Sequence, residues 1–327
     1  KPAEREKFRN REDRRSSERR TFKSCEKMKI SVIIPVYNDP EGLRDTLESL
    51  VDQDFEEAYE ILPVNNNSTD STQEAIEEFE KNYPNLVRGL KENDVQSSYA
   101  ARNTGVKNAD GELLCFLDAD MWVEKDYLSN TREFFDNHQN VDYVGANVEI
   151  VNTSSNSSGL YNELQGFPIE KYIEELNFAP TCCLSVRRSV FNRVGMFNDN
   201  LISGGDREFG IRSNKEGIKM EFLEEITVYH PARITWKSLR DKSFRIGRGA
   251  FQKQVDCPEL FPDQRTPLYD VTSFLPTTPR RLAENFEKWE KLTLSDKISF
   301  YFIYWSKKIW SYLGYQYERF VVQNYIL

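Results

Sequence analysis

With 327 residues, 39% of them hydrophobic and 13% aromatic, the chain is long and apolar enough for one large domain, or a domain plus an appendage. It holds no apolar run of about eighteen residues, so the sequence predicts no membrane-spanning helix. The net charge of −9 conceals an asymmetry: residues 1–29 hold 12 Lys and Arg against 6 Asp and Glu, leaving 32 against 47 in the remainder. So acidic a body argues against nucleic acid as a partner. The five cysteines (Cys25, Cys115, Cys182, Cys183, Cys257) show neither a disulfide framework nor a CxxC metal site, which favours a reducing, cytoplasmic setting.

Residues 1–28 read as a basic, disordered leader outside the domain, without the apolar segment of a secretory signal. Its charge also allows contact with anionic lipid. The regular pattern starts with KISVIIPVYN (29–38), an apolar and β-branched run closed by Pro and Asn, which predicts a buried parallel strand. Leu43, Leu47, Leu50 and Val51 then recur at helical spacing across 41–53. YEILPVNNNSTD (59–70) predicts a second strand ending in a polar turn, and Ser71-x-x-Glu74 resembles a capping box opening a helix through Ala75, Ile76 and Phe79. NLVRGL (85–90) is a weaker strand, 97–109 a helix and 112–117 a further strand. Alternating strands and helices predict an α/β sheet with right-handed crossovers, whose ligands sit at the carboxyl ends of the strands. The clusters Tyr37-Asn38-Asp39, Asn65-Asn66-Asn67 and Asp118-Ala119-Asp120 all fall at such ends.

The second half is less regular. Residues 152–159 (NTSSNSSG) read as a loop, 179–197 as a strand and a short helix, and 203–212 (SGGDREFGIR) as a Gly pair before an acidic cluster. A strand at 226–236 is interrupted by His230-Pro231, and proline becomes frequent from about 257, suggesting a linker to a helical tail.

Within LLCFLDADMW (113–122), two carboxylates close what reads as a buried strand. In extended chain alternate residues point the same way, so both carboxylates reach one side. Holding them together is costly unless a cation is near. Hard cations such as Mg²⁺ or Mn²⁺ prefer oxygen ligands and share them with substrate phosphates, so Asp-Ala-Asp suggests a metal–phosphate site. The alternative for either residue is a structural carboxylate held by a backbone amide or an Arg. Neither GxGxxG nor GxxxxGK[ST] is present.

The ordered set SVIIPVYN, VNNNSTDST, SYAARNTGVKNADGELLCFLDAD, GGDREFGIR and VYHP, across residues 29–250, resembles the family 2 glycosyltransferases with the GT-A fold. The resemblance implies a Rossmann-like, mostly parallel sheet flanked by helices over 29–256. Residues 29–122 would be the nucleotide-sugar-binding half and 123–256 the acceptor-side half, with a linker and an aromatic-rich helical tail over 257–327. It implies an inverting, metal-assisted sugar transfer from a nucleotide sugar to a glycan or lipid-linked acceptor. Asp118 would contact the ribose or base. Asp120 would bind Mn²⁺ or Mg²⁺ on the diphosphate, and His230, one of two histidines, would join it. His138 reads as a surface residue. Arg102 would reach the nucleotide, or else form a salt bridge on a helix face. Pro35 and Tyr37 would wall the base. Asp206 would take the proton of the acceptor hydroxyl, with Glu208 as its rival.

Two positions depart from the family pattern. Asn65 stands where the family usually has Asp; it can still accept a hydrogen bond from uracil, so a UDP-sugar remains the expected donor. Gly205 stands where Glu commonly precedes the catalytic Asp. Two rival readings follow: a nucleotidyltransferase on a similar sheet, and a degenerate, non-catalytic nucleotide-sugar-binding module. In the tail, Ile298, Phe302, Trp305, Ile309 and Tyr312 share a helical face. That face suits packing on the domain, a homodimer contact, or peripheral membrane contact through 298–327.

Overall fold

Strong β-formers set the centre of the sheet. The computed structural model describes residues 29–262, 278–286 and 288–325; the predicted leader and part of the predicted linker lie outside them. β1 (Ile30–Val36) and β2 (Tyr59–Asn65) are mostly apolar and buried along nearly their whole length, and Ser31 and Glu60 within them satisfy each other by a 2.7 Å hydrogen bond. They pair in parallel, with Ile30 opposite Tyr59 and Val36 opposite Asn65. β4 (Leu113–Phe116) flanks β1 in parallel, and the short β3 (Leu90–Lys91) flanks β2. Between them run α1 (Pro40–Val51), α2 (Thr72–Asn82) and α3 (Ser98–Asn108). Asp39 caps α1 by accepting from the Gly42 N–H, and Pro40 presets its first turn.

Beyond β4 the strand directions mix. β5 (Trp122–Val123), β6 (Tyr143–Val151), β7 (Leu184–Arg187) and β8 (Met220–Pro231) complete one eight-stranded sheet of order β3-β2-β1-β4-β7-β6-β8-β5. β7 is antiparallel to both β4 and β6, β6 is parallel to β8, and β5 is antiparallel to β8. α4 (Tyr127–Asn137), α5 (Ser157–Gln165), α6 (Ile169–Leu176), α7 (Arg188–Val194) and α8 (Gly205–Lys215) surround this half. The expected mostly parallel α/β sheet is present.

Several local expectations are revised. Ser71 makes no side-chain cap; Asp70 Oδ1 accepts from the Thr72 N–H instead, at 3.0 Å. The loop at 152–159 is cut short because Asn156 accepts from the Gly159 N–H at 2.8 Å and starts α5. β8 runs unbroken to Pro231, which sits at its last position, where a missing N–H costs little.

The carboxyl-terminal segments form a second apolar cluster. α9 (Trp236–Asp256), α10 (Pro279–Ala283) and α11 (Leu294–Tyr325) enclose Leu239, Leu282, Phe286, Phe300 and Ile303 with Tyr161 of α5. Each such side chain stabilises the packing by about 1.5–3 kcal/mol. The face predicted for the tail is divided, with Tyr312 lining a groove against α9. Ile298 and Phe302 are exposed, whereas Phe300, Ile303 and Tyr315 are buried. Small residues decide the contact: Gly247 of α9 lies against the Ser311 carbonyl, and Gly314 of α11 against the Phe244 carbonyl. Arg248 and Gln252 then bond Glu318 at 2.6 and 2.8 Å. A Cβ at position 247 would overlap the Ser311 carbonyl oxygen. Gly247→Ala is therefore expected to cost about 1–3 kcal/mol, the usual range for overpacking. A urea titration checks this, through a lower midpoint at unchanged slope.

Candidate active site

The carboxyl ends of β1, β2 and β4 border a cavity of about 780 Å³. One wall runs from Pro35, Val36 and Tyr37 past Asn66 and Gln96 to Tyr99, Arg102 and Asp118. The other holds Asp206 and Arg207 of α8, His230 of β8, Arg233, and Lys242 and Lys253 of α9. Six of the residues singled out by sequence (Pro35, Tyr37, Arg102, Asp118, Asp206 and His230) therefore line one space. Tyr37 is 53% exposed, so its ring is open to stacking on a flat ligand. Asn65 does not line the cavity. Its Oδ1 accepts from the Ser68 N–H at 2.9 Å and its amide donates to Gln73 at 2.8 Å; the neighbouring Asn66 is the lining residue.

Arg102 is buried, and its Nη2 donates to Asp118 Oδ1 at 2.5 Å. The Asp118 side chain is 39% exposed, so its carboxylate faces both the Arg and the cavity. Arg102 also stacks over the Tyr99 ring at 5.6 Å, while its Nε is buried without a hydrogen bond among the described residues. The helix-face salt bridge is thus present, and it places a cation beside the cavity.

Asp120, two residues on, is half-buried near Asp39 and Arg233. Burial first, and then the charges of Asp120 and Asp70, push the Asp39 carboxyl above its ordinary value, against the pull of the Gly42 N–H. His230 Nδ1 faces the Pro231 carbonyl at 2.7 Å. A carbonyl only accepts, so Nδ1 carries the proton and a neutral ring keeps its Nε2 lone pair, the arrangement common in metal-binding histidines. No three His, Cys, Asp or Glu side chains among the described residues form a ready metal cage. His230 lines the cavity and Asp120 does not; an ion held by either would take its other ligands from a diphosphate and water.

Asp206 occupies the first turn of α8, half-buried, and its Oδ1 accepts from the Arg207 N–H at 2.8 Å. Burial raises its carboxyl above the ordinary range; the Arg207 N–H, Arg102 and Lys253 oppose this, and Asp118 adds to it. Lys253 is buried, and burial lowers its ammonium while Asp206 favours the charged form. The departure at Gly205 has a steric cause. A Cβ there would stand 2.9 Å from Tyr99 Cε2 and Cζ, so α8 approaches α3 too closely for any side chain. Glu208 does not compete with Asp206: it is buried in a two-point ion pair with Arg212, at 2.5 and 2.8 Å. Sequence reasoning missed Arg233, Lys242, Arg245 and Lys253. The available signal was the composition of α9, six Lys and Arg against two Asp.

Residues 31–195 match the profile of "Glycosyl transferase family 2". The chain belongs to that family. It is a nucleotide-sugar-dependent glycosyltransferase, which sets aside the nucleotidyltransferase reading. It is 34% identical over 269 residues to glycosyltransferase AglE of Haloferax volcanii, covering 79% of this chain and 85% of that one. It is 29% identical over 231 residues to a Methanococcus voltae dolichyl N-acetyl-α-D-glucosaminyl phosphate 3-β-D-2,3-diacetamido-2,3-dideoxy-β-D-glucuronosyltransferase, covering 67% and 71%. Among solved structures, the Pyrobaculum calidifontis mannosyltransferase PcManGT, in complex with GDP-Man and Mn²⁺, shares the fold with a TM-score of 0.61. Identity is 18%, over 89% of this chain and 87% of that one. Staphylococcus aureus TarS 1-349 with UDP-GlcNAc gives a TM-score of 0.53 at 18% identity, covering 89% and 92%. These matches show the GT-A fold.

The Arg102–Asp118 pair has unequal partners, because Arg102 is buried and Asp118 half-exposed. Removing Asp118 strands a buried cation, whereas removing Arg102 leaves a carboxylate that water can reach. Asp118→Asn is expected to cost about 2–4 kcal/mol and Arg102→Met less. Paired thermal or urea melts of the two variants measure the difference.

Proposed function

We propose that the enzyme transfers a sugar, with inversion, from a UDP-linked donor to a hydroxyl of a glycan or lipid-linked acceptor, with Asp206 as general base. The observation that carries this reading is that Asp118 and Asp206 line one cavity and lie close enough to act on each other's charge. The donor would lie along Pro35, Tyr37, Arg102 and Asp118, and the acceptor against α8. The M. voltae relative, whose name describes transfer to a dolichyl sugar phosphate, supports a lipid-linked acceptor.

Each residue's part follows from its surroundings. The Tyr37 ring offers the base a face. Arg102 brings a fixed positive charge to the nucleotide side and orients Asp118 through their hydrogen bond. Asp120 and His230 would hold a Mn²⁺ or Mg²⁺ ion, which, when bound, offsets negative charge developing on the departing diphosphate. Asp206 takes the proton from the acceptor oxygen as that oxygen approaches the anomeric carbon. Its raised pKa makes it a stronger base than an ordinary carboxylate, while Lys253 and Arg102 keep enough of it ionised. Direct displacement needs no enzyme nucleophile.

Two tests address this reading. Asp206→Asn is expected to reduce turnover by about 10²–10⁴-fold while retaining the metal-dependent thermal shift given by UDP. Equal turnover would remove Asp206 from the chemistry, and wild-type protein without turnover would favour the non-catalytic module. The acid limb of kcat/KM should lie above the usual aspartate range. Lys253→Met removes a charge that lowers the Asp206 pKa, so the limb should move to higher pH. A limb unmoved by that change would separate Lys253 from the base.

A further inference from the structure

Beside the catalytic cavity lies a second one, of about 380 Å³, between α9 and α11. Ile246, Ala250, Tyr304, Tyr312 and Tyr315 give it a mainly apolar lining. It shares Ser243, Ile246 and Lys307 with the catalytic cavity, so the two spaces adjoin. Its shape is fixed by the backbone contacts of Gly247 with Ser311 and of Gly314 with Phe244.

Cations gather at the junction. Arg233, Lys242, Arg245 and Lys307 all line the catalytic cavity, and none is paired with a carboxylate among the described residues. They extend away from the strand-end carboxylates. Arg233 feels both Asp120 and Asp118, and Lys242 feels Asp118, whereas Lys307, among the described residues, feels Lys242. Burial and the neighbouring cations push Lys242 down to about 8 and Lys307 down to about 7. Lys307 is held by neutral partners only, donating to Gln165 at 2.6 Å and Tyr161 at 3.3 Å. The donor diphosphate, beside Asp118 and Asp120, accounts for the inner cations. It leaves Lys307, at the mouth of an apolar groove, without an anion.

Resting on the reading of Asp206 as the base for an acceptor hydroxyl, we propose that the α9–α11 groove is the lipid subsite of the acceptor. The acceptor is then a lipid phosphate carrying a short glycan. Its first apolar units lie along Ile246, Ala250 and Tyr315. Its phosphoryl group meets Lys307, and its glycan hydroxyl reaches Asp206. A groove of mixed character fits this occupant better than a free polysaccharide, which would leave the apolar lining unused. It also fits better than inorganic phosphate, which would use only the junction.

The test measures binding of farnesyl phosphate, inorganic phosphate and farnesol to the full chain by isothermal titration below the micellar concentration. Farnesyl phosphate is expected to bind at least about tenfold tighter than either fragment. Lys307→Gln and, separately, Ala250→Trp should each weaken it by about tenfold or more, with the UDP thermal shift unchanged. Inorganic phosphate binding as tightly would reduce the site to an anion pocket, and farnesol binding as tightly to an apolar one; either overturns the proposal. So would farnesyl phosphate affinity that both variants leave intact. The UDP shift of the wild-type chain is a separate arm. Its absence would overturn the donor assignment, while the farnesyl phosphate titrations still decide the subsite.

Discussion

The site depends on one ion pair, Arg102 with Asp118. A carboxylate at the end of a buried strand needs a partner, and α3 supplies it by burying a guanidinium one turn beyond Tyr99. The pair fixes the end of β4 against α3. Tyr99, on the same helix, then supports Gly205 and so the first turn of α8, which carries Asp206. The proposed donor wall and the proposed base therefore share a single support. A shift of α3 would move both together, and their separation is protected by the same packing that stabilises the fold.

Charge is distributed around the cavity in an order that matches the proposed reaction. Carboxylates lie at the ends of β4 and at the start of α8, and cations line the α9 side between them. Arg102 and Lys253 both act on Asp206, one from the nucleotide side and one from α9. The base is thus tuned by opposing influences, burial against two cations, and its basicity follows from position rather than from a hydrogen-bonded partner side chain.

Much of this was legible in the sequence because the first half obeys simple periodicities. β1, β2 and β4 were mostly apolar runs, and their polar ends marked the cavity. The ordered motifs named the fold and six of the lining residues. What stayed hidden depended on contacts between distant segments. Nothing local to Gly205 shows that Tyr99 lies beneath it. Nothing in Asn65 reveals that Ser68 and Gln73 already occupy its side chain. The tail was partly legible for a related reason: its apolar residues marked one face, part of it exposed, and Gly247 and Gly314, which permit backbone contact, set how α11 packs. Composition counts apolar surface and misses closeness of approach.

That closeness has a mechanical meaning. Two helices separated by flexible side chains can slide, each absorbing the other's movement. α9 and α11 touch through glycine and carbonyl, with no soft layer between them, so they turn as one rigid arm. Lys242 and Lys253 ride on that arm inside the cavity, while Phe302, Tyr317 and Phe320 ride on its outside, exposed to whatever the protein meets. The cations inside the cavity and the exposed rings outside it are thus carried on one closely packed pair of helices.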